Sequence, residues 1–162
     1  MSRSVSLLIS MLVRYPEVGT VKYEPRQQTI RMSLLIHGEL PAEDFARLEQ
    51  ALTDTLEVYH LLEQRPAATV EVAQESYGGL TSIAITRDAR TLSPEEVYVI
   101  IELIRERFAG RLVSEAIDFS GEDEMIAQDE MIEEILADLE DSRNPKNLIA
   151  IREDGRLMVF QK

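Results

Sequence analysis

Apolar residues recur along this chain at two spacings, and the switch between them lays out its elements. Over residues 29–36 the spacing is two. Ile30, Met32, Leu34 and Ile36 share one face against Arg31, Ser33 and His37, which predicts a half-buried strand. Residues 20–23 read as its partner across 24–28. From 42 to about 64 the spacing lengthens to three or four, with Phe45, Leu48, Leu52, Leu56, Tyr59 and Leu62 forming a stripe. Glu43, Arg47, Glu49, Asp54 and Glu57 oppose it, so a helix is expected.

The same order then recurs. Residues 69–74 and 80–86 read as strands joined at Gly78-Gly79. A helix is expected over 94–109. Ser93 suits the cap, Pro94 the first helical position, Glu96 completes a capping box, and Leu92 can pack on Val97. Its buried stripe would be Val97, Ile100, Ile101, Ile104 and Phe108, ending at Gly110. Thr20-Val21-Lys22-Tyr23 aligns with Thr69-Val70-Glu71-Val72, and Ser33-Leu34-Leu35-Ile36 with Ser82-Ile83-Ala84-Ile85, both at an offset of 49; the helix starts align at 52. The expected fold is therefore α+β: an antiparallel sheet of two hairpin-helix (ββα) units, about 20–64 and 69–110, with both helices on one face.

Further elements flank this unit pair. Arg3, Ser6, Ser10 and Arg14 make a polar stripe at helical spacing, so 3–14 is expected to be an N-terminal helix, with a strand as the other reading of so short a segment. Residues 113–119 form a candidate extra strand. After Ser120-Gly121, Met125, Ile132, Ile135, Leu136 and Leu139 outline an amphipathic helix, and 143–146 a loop. The chain closes on a hairpin whose register follows from a two-residue Asp154-Gly155 turn: Glu153 opposite Arg156, Ile151 opposite Met158, Ile149 opposite Phe160. That hairpin is apolar on both faces and needs cover on both. Residues 1–119 are expected to form an α+β domain, and 120–162 an acidic helix and hairpin packed upon it.

Charge changes the picture of this last part. The net charge is −13, which disfavours direct binding to a nucleic-acid backbone. Ten carboxylates and no Lys or Arg lie between Glu122 and Asp141; without them 20 acidic residues face 17 basic ones, a balance of −3. Glu130, Glu134 and Asp138 stand four residues apart, so like charges crowd one helix face. The candidate interaction surface is accordingly Glu130, Glu133, Glu134, Asp138 and Asp141, and its expected partner is a basic protein, alongside self-association as a homo-oligomer.

Candidate chemistry is sparse. The chain has no cysteine, which excludes disulfides, thiolate metal sites and a cysteine nucleophile. Its apolar runs are too short to span a bilayer, and a cytoplasmic location is expected. No nucleotide loop, nucleophile elbow or metal-ligand spacing occurs, so no catalytic, cofactor-binding or metal residue is assigned. The expectation is a non-enzymatic interaction or regulatory protein. Two alternatives stand beside it: a small metal-dependent enzyme or hydrolase with a site around His37 or His60, and an acidic mimic occupying a basic nucleic-acid-binding protein.

Overall fold

The computed structural model describes residues 3–114, 122–138 and 147–161, with the side chains of 122–125 and 138 set aside. The elements run α1 (Arg3–Arg14), β1 (Val18–Glu24), β2 (Thr29–His37), α2 (Ala42–Glu63), β3 (Val70–Tyr77), β4 (Leu80–Asp88), α3 (Pro94–Arg107), α4 (Glu122–Asp138), β5 (Leu148–Glu153) and β6 (Arg156–Gln161). All six strands join one antiparallel sheet in the order β3-β4-β2-β1-β5-β6. The α+β architecture with two ββα units, an N-terminal helix, an acidic helix and a closing hairpin is thus as expected.

Period-two alternation sets which face of this sheet is buried. One rung crosses all six strands as Val72, Ile85, Met32, Val21, Ala150 and Val159, each opposite the next, and these residues lie in or against the core. The helices contribute Leu7, Leu8, Met11, Leu12, Leu48, Leu52, Leu56, Val97, Ile100 and Ile104 to the same cluster. On the other side the rung Ala73, Ala84, Ser33, Thr20, Ile151 and Met158 forms a floor of mostly small side chains. A trough of about 590 Å³ lies over this outer face.

The closing hairpin keeps the register derived from its turn: Glu153 pairs with Arg156, Ile151 with Met158 and Ile149 with Phe160. Asp154 and Gly155 both take positive φ, 48° and 75°, as a tight two-residue turn requires. β5 pairs with β1, so the hairpin extends the sheet directly. Its inner residues Leu148 and Ala150 are buried, while Phe160 on the outer face is 47% exposed.

Several local expectations are corrected. The buried stripe of α2 is Leu48, Leu52, Leu56 and His60, at strict four-residue steps; Leu62 points away and is 77% exposed. The polar stripe of α1 is partly covered by α4: Ser10 reaches the Met131 sulfur and Arg14 pairs with Asp129, while Arg3, which stays exposed, pairs with Glu134. The capping box at α3 is half made. Ser93 Oγ accepts from the Glu96 amide at 3.3 Å, but the Glu96 carboxylate turns inward. Segments aligned at an offset of 49 share faces but not register, since Val21 pairs with Met32 whereas its counterpart Val70 pairs with Arg87. A two-residue turn in the second hairpin slides β3 along β4, so the units share an architecture rather than residue-by-residue geometry. Leu112 bridges Ile36, whereas residues 115–121, most of the candidate strand at 113–119, lie outside the described residues. So do the side chain of Met125, Leu139 and the loop 143–146.

Leu34 and Ile83 face each other where the two units meet, both buried. Ile83→Ala should cost about 2–5 kcal/mol by opening a cavity at this seam, measured by urea unfolding. A loss below about 1 kcal/mol would show that the seam is not tightly packed.

Candidate functional site

Glu130, Glu133 and Glu134 all lie exposed on α4. The structure does not leave them equivalent. Glu134 stands 3.5 Å from Arg3 on α1, and Glu133 lines a cavity shared with α2 and α3. The Asp138 side chain and Asp141 lie outside the described residues. α4 is held in place by Ile132, Ile135 and Leu136, all buried, and by Asp129, whose carboxylate accepts from Arg14 Nε at 2.9 Å. Tyr15 stands beside it, with its hydroxyl donating to the Pro94 carbonyl at 3.3 Å. Burial, reinforced by the Asp129 charge, pushes the Tyr15 phenol well above its usual range. Part of the acidity of α4 is therefore matched inside the molecule by the arginines of α1.

The cavity at Glu133 has a volume of about 240 Å³ and takes carboxylates from three helices: Glu63 of α2, Glu95 of α3 and Glu133 of α4. Tyr59, Ser93 and Thr91 supply hydroxyls, and Tyr59 Oη lies 2.8 Å from Ser93 Oγ. Burial raises the Tyr59 pKa against a smaller lowering by the Ser93 hydrogen bond, and the charges of Glu95, Glu63 and Glu96 add to the rise. Only the smaller, carboxylate part of that rise favours a cation, since burial penalises a charge of either sign. One cation of the chain is already there: Arg65 lines the cavity and donates to the Arg90 carbonyl at 2.9 Å.

Beneath this cavity lies a buried charge network. Arg87 and Glu96 are both fully buried. Arg87 donates through Nε to Glu96 Oε2 at 2.5 Å and through Nη2 to Oε1 at 2.7 Å, a two-pronged pairing, and also binds the Asp88 carboxylate. His60 Nε2 lies 2.7 Å from Glu96 Oε1 and 2.9 Å from Arg87 Nη2. A carboxylate can only accept and a guanidinium can only donate, so Nε2 serves one of these neighbours at a time, as donor to Glu96 or as acceptor from Arg87. Four-residue spacing from Leu56 carries His60 inside. His37 is exposed at the other end of the sheet, opposite Leu80, while His60 meets Arg87 seven residues further along β4. The two histidines do not converge, and no group of three His, Asp or Glu side chains disposed to hold a metal occurs among the described residues.

The network was visible in the pattern, though unread there. Arg87 occupies an inward position after Thr81, Ile83 and Ile85, and Glu96 precedes Ile100 and Ile104 at four-residue steps. A charged residue in an apolar register implies a buried partner. The convergence of Glu63, Glu95 and Glu133 left no such trace, because it depends on how three helices pack.

Comparisons with family models, characterised proteins and solved structures return no match to this chain. No helix among the described residues is long and apolar enough to cross a membrane.

Two predictions follow from the buried network. Arg87→Met and Glu96→Gln should each cost about 3–5 kcal/mol in urea unfolding, because each strands a buried charge or its donors; losses below about 1 kcal/mol would contradict a dry, mutually dependent pair. The second concerns acid. Burial pushes the Asp88 carboxyl upward, but bonds from the Thr91 hydroxyl and Thr69 amide, with the Arg87 charge, outweigh it and hold the pKa below 3.8. A depressed carboxylate stabilises the fold above its unfolded value and loses that contribution as pH falls through its folded value. Asp88→Asn should therefore be less stable at neutral pH and lose less on acidification below about pH 4, read by unfolding midpoints across pH.

Proposed function

We propose that this chain is a non-enzymatic protein-interaction module that docks a basic segment of a partner protein, seating an arginine or lysine side chain among Glu63, Glu95 and Glu133. The observation that carries the reading is the convergence of carboxylates from three helices on one small polar cavity. A cation entering there meets the acidic residues Glu63, Glu95 and Glu133, which outnumber the one resident cation Arg65, and the hydroxyls of Tyr59, Ser93 and Thr91 as further acceptors. Exposed Glu130 extends the negative field along α4 and steers a basic segment toward the opening.

The internal pairing of Glu134 and Asp129 sharpens the contact surface. Arg3 and Arg14 already occupy them, so the partner reads Glu130 and Glu133 with the α2 and α3 carboxylates. The fully buried Arg87–Glu96 pair lies beneath this opening, and a binding surface already ordered before contact lowers the ordering cost of binding.

A labelled nona-arginine peptide, followed by fluorescence anisotropy, provides the test. Joint replacement Glu63→Gln, Glu95→Gln and Glu133→Gln should weaken binding by about tenfold or more. The control Glu43→Gln, Glu49→Gln and Glu57→Gln removes the same charge from exposed positions of α2 and should weaken it far less. Equal losses in the two variants, or no binding by the wild type at low salt, would overturn the proposal.

A further inference from the structure

The free edge of β6 presents a different surface, independent of the acidic cavity. β6 ends the sheet order, so one side of its backbone has no strand partner among the described residues. Natural edge strands are usually guarded by lysine, proline or a bulge. Across 156–161 none of these occurs: Leu157, Met158, Val159 and Phe160 run consecutively, and no register shift interrupts its pairing with β5. The opposite edge, β3, carries Glu71 and Glu75 on the outer face.

Which backbone groups point outward follows from the turn. Glu153 and Arg156 close a two-residue hairpin, and a closing pair of that kind exchanges both of its hydrogen bonds. The donors and acceptors of Arg156, Met158 and Phe160 therefore face β5, while those of Leu157, Val159 and Gln161 face the open edge. We propose that this edge pairs antiparallel with β6 of a second copy of the chain, about a two-fold axis normal to the sheet that passes beside Met158.

An axis in that direction keeps inner faces with inner and outer with outer. Centred on Met158, it sets each Leu157 opposite the partner's Val159, and these are the residues whose main-chain groups are unpaired. Both side chains already pack against the core from the inner face, so the two cores meet across the seam. On the outer face Met158 stands opposite its own copy, and Arg156 lies opposite Phe160, which is 47% exposed in the single chain. A guanidinium over that ring is attractive, and no like charges are opposed. The pairing is isologous and closes at two chains. It joins the two sheets into one of twelve strands.

The two-fold placement supplies a specific test, because residue 158 faces itself. Wild type, Met158→Lys and Met158→Glu are compared by sedimentation velocity, with far-ultraviolet circular dichroism showing that each remains folded. The wild type should sediment as a dimer. Each charged variant should shift to monomer, and an equimolar mixture of the two should regain the dimer. Val159→Pro removes an amide that faces solvent in the single chain, a substitution an edge strand tolerates, and should also give a folded monomer. A wild type monomeric at all concentrations, charged variants that stay dimeric, or a mixture that stays monomeric would each overturn the proposal. Assemblies growing beyond two chains would do so as well, pointing instead to β6 pairing with β3 of the next copy.

Discussion

Everything in this fold depends on the single-sidedness of its sheet. Six antiparallel strands each bury one set of alternate residues, and the apolar rung from Val72 to Val159 carries that choice across the whole width. The first three helices must lie on the same side to cover it, and α4 crosses α1 on that side. Two consequences follow for the surface. The helical side gathers Glu63, Glu95 and Glu133 at one opening, and the other side, with edge strands β3 and β6 that lack an outer strand partner among the described residues, is left open. Each of the proposed contacts arises from one of these consequences.

The buried Arg87–Glu96 pair explains how the helical side is held. Arg87 comes from β4, Glu96 from the first turn of α3 and His60 from the last turn of α2, so one cluster fixes three elements to one another. A buried ion pair of this kind adds little net stability over an apolar replacement but penalises any arrangement that separates its members. It therefore favours the packing of α2 and α3 that sets Glu63 and Glu95 at one opening, to which α4 adds Glu133. On the other flank Arg14 offsets Asp129 in a partly buried pair, and Arg3 offsets Glu134 in an exposed one that adds little.

Legibility in the sequence tracked the range of the interaction. The hairpin register was derivable because Asp154-Gly155 and alternation are local, and strand faces were derivable for the same reason. Stripe assignments failed where tertiary packing decided: α4 partly covers the polar side of α1, and His60 rather than Leu62 continues the buried line of α2. Glu96 shows the sharpest divergence. Its position suits a capping box, yet the buried Arg87 guanidinium takes its carboxylate instead. The acidic segment was seen, but the two carboxylates that complete its site belong to other helices, and no sequence spacing relates 63, 95 and 133.

The most direct measurement is an amide chemical-shift map of the full-length protein titrated with an arginine-rich peptide. The account predicts shifts clustered at Tyr59, Glu63, Ser93, Glu95 and Glu133, with the outer sheet face unmoved. Shifts confined to the trough over Ala73, Ala84, Ser33 and Thr20, or spread evenly over all exposed carboxylates, would contradict it.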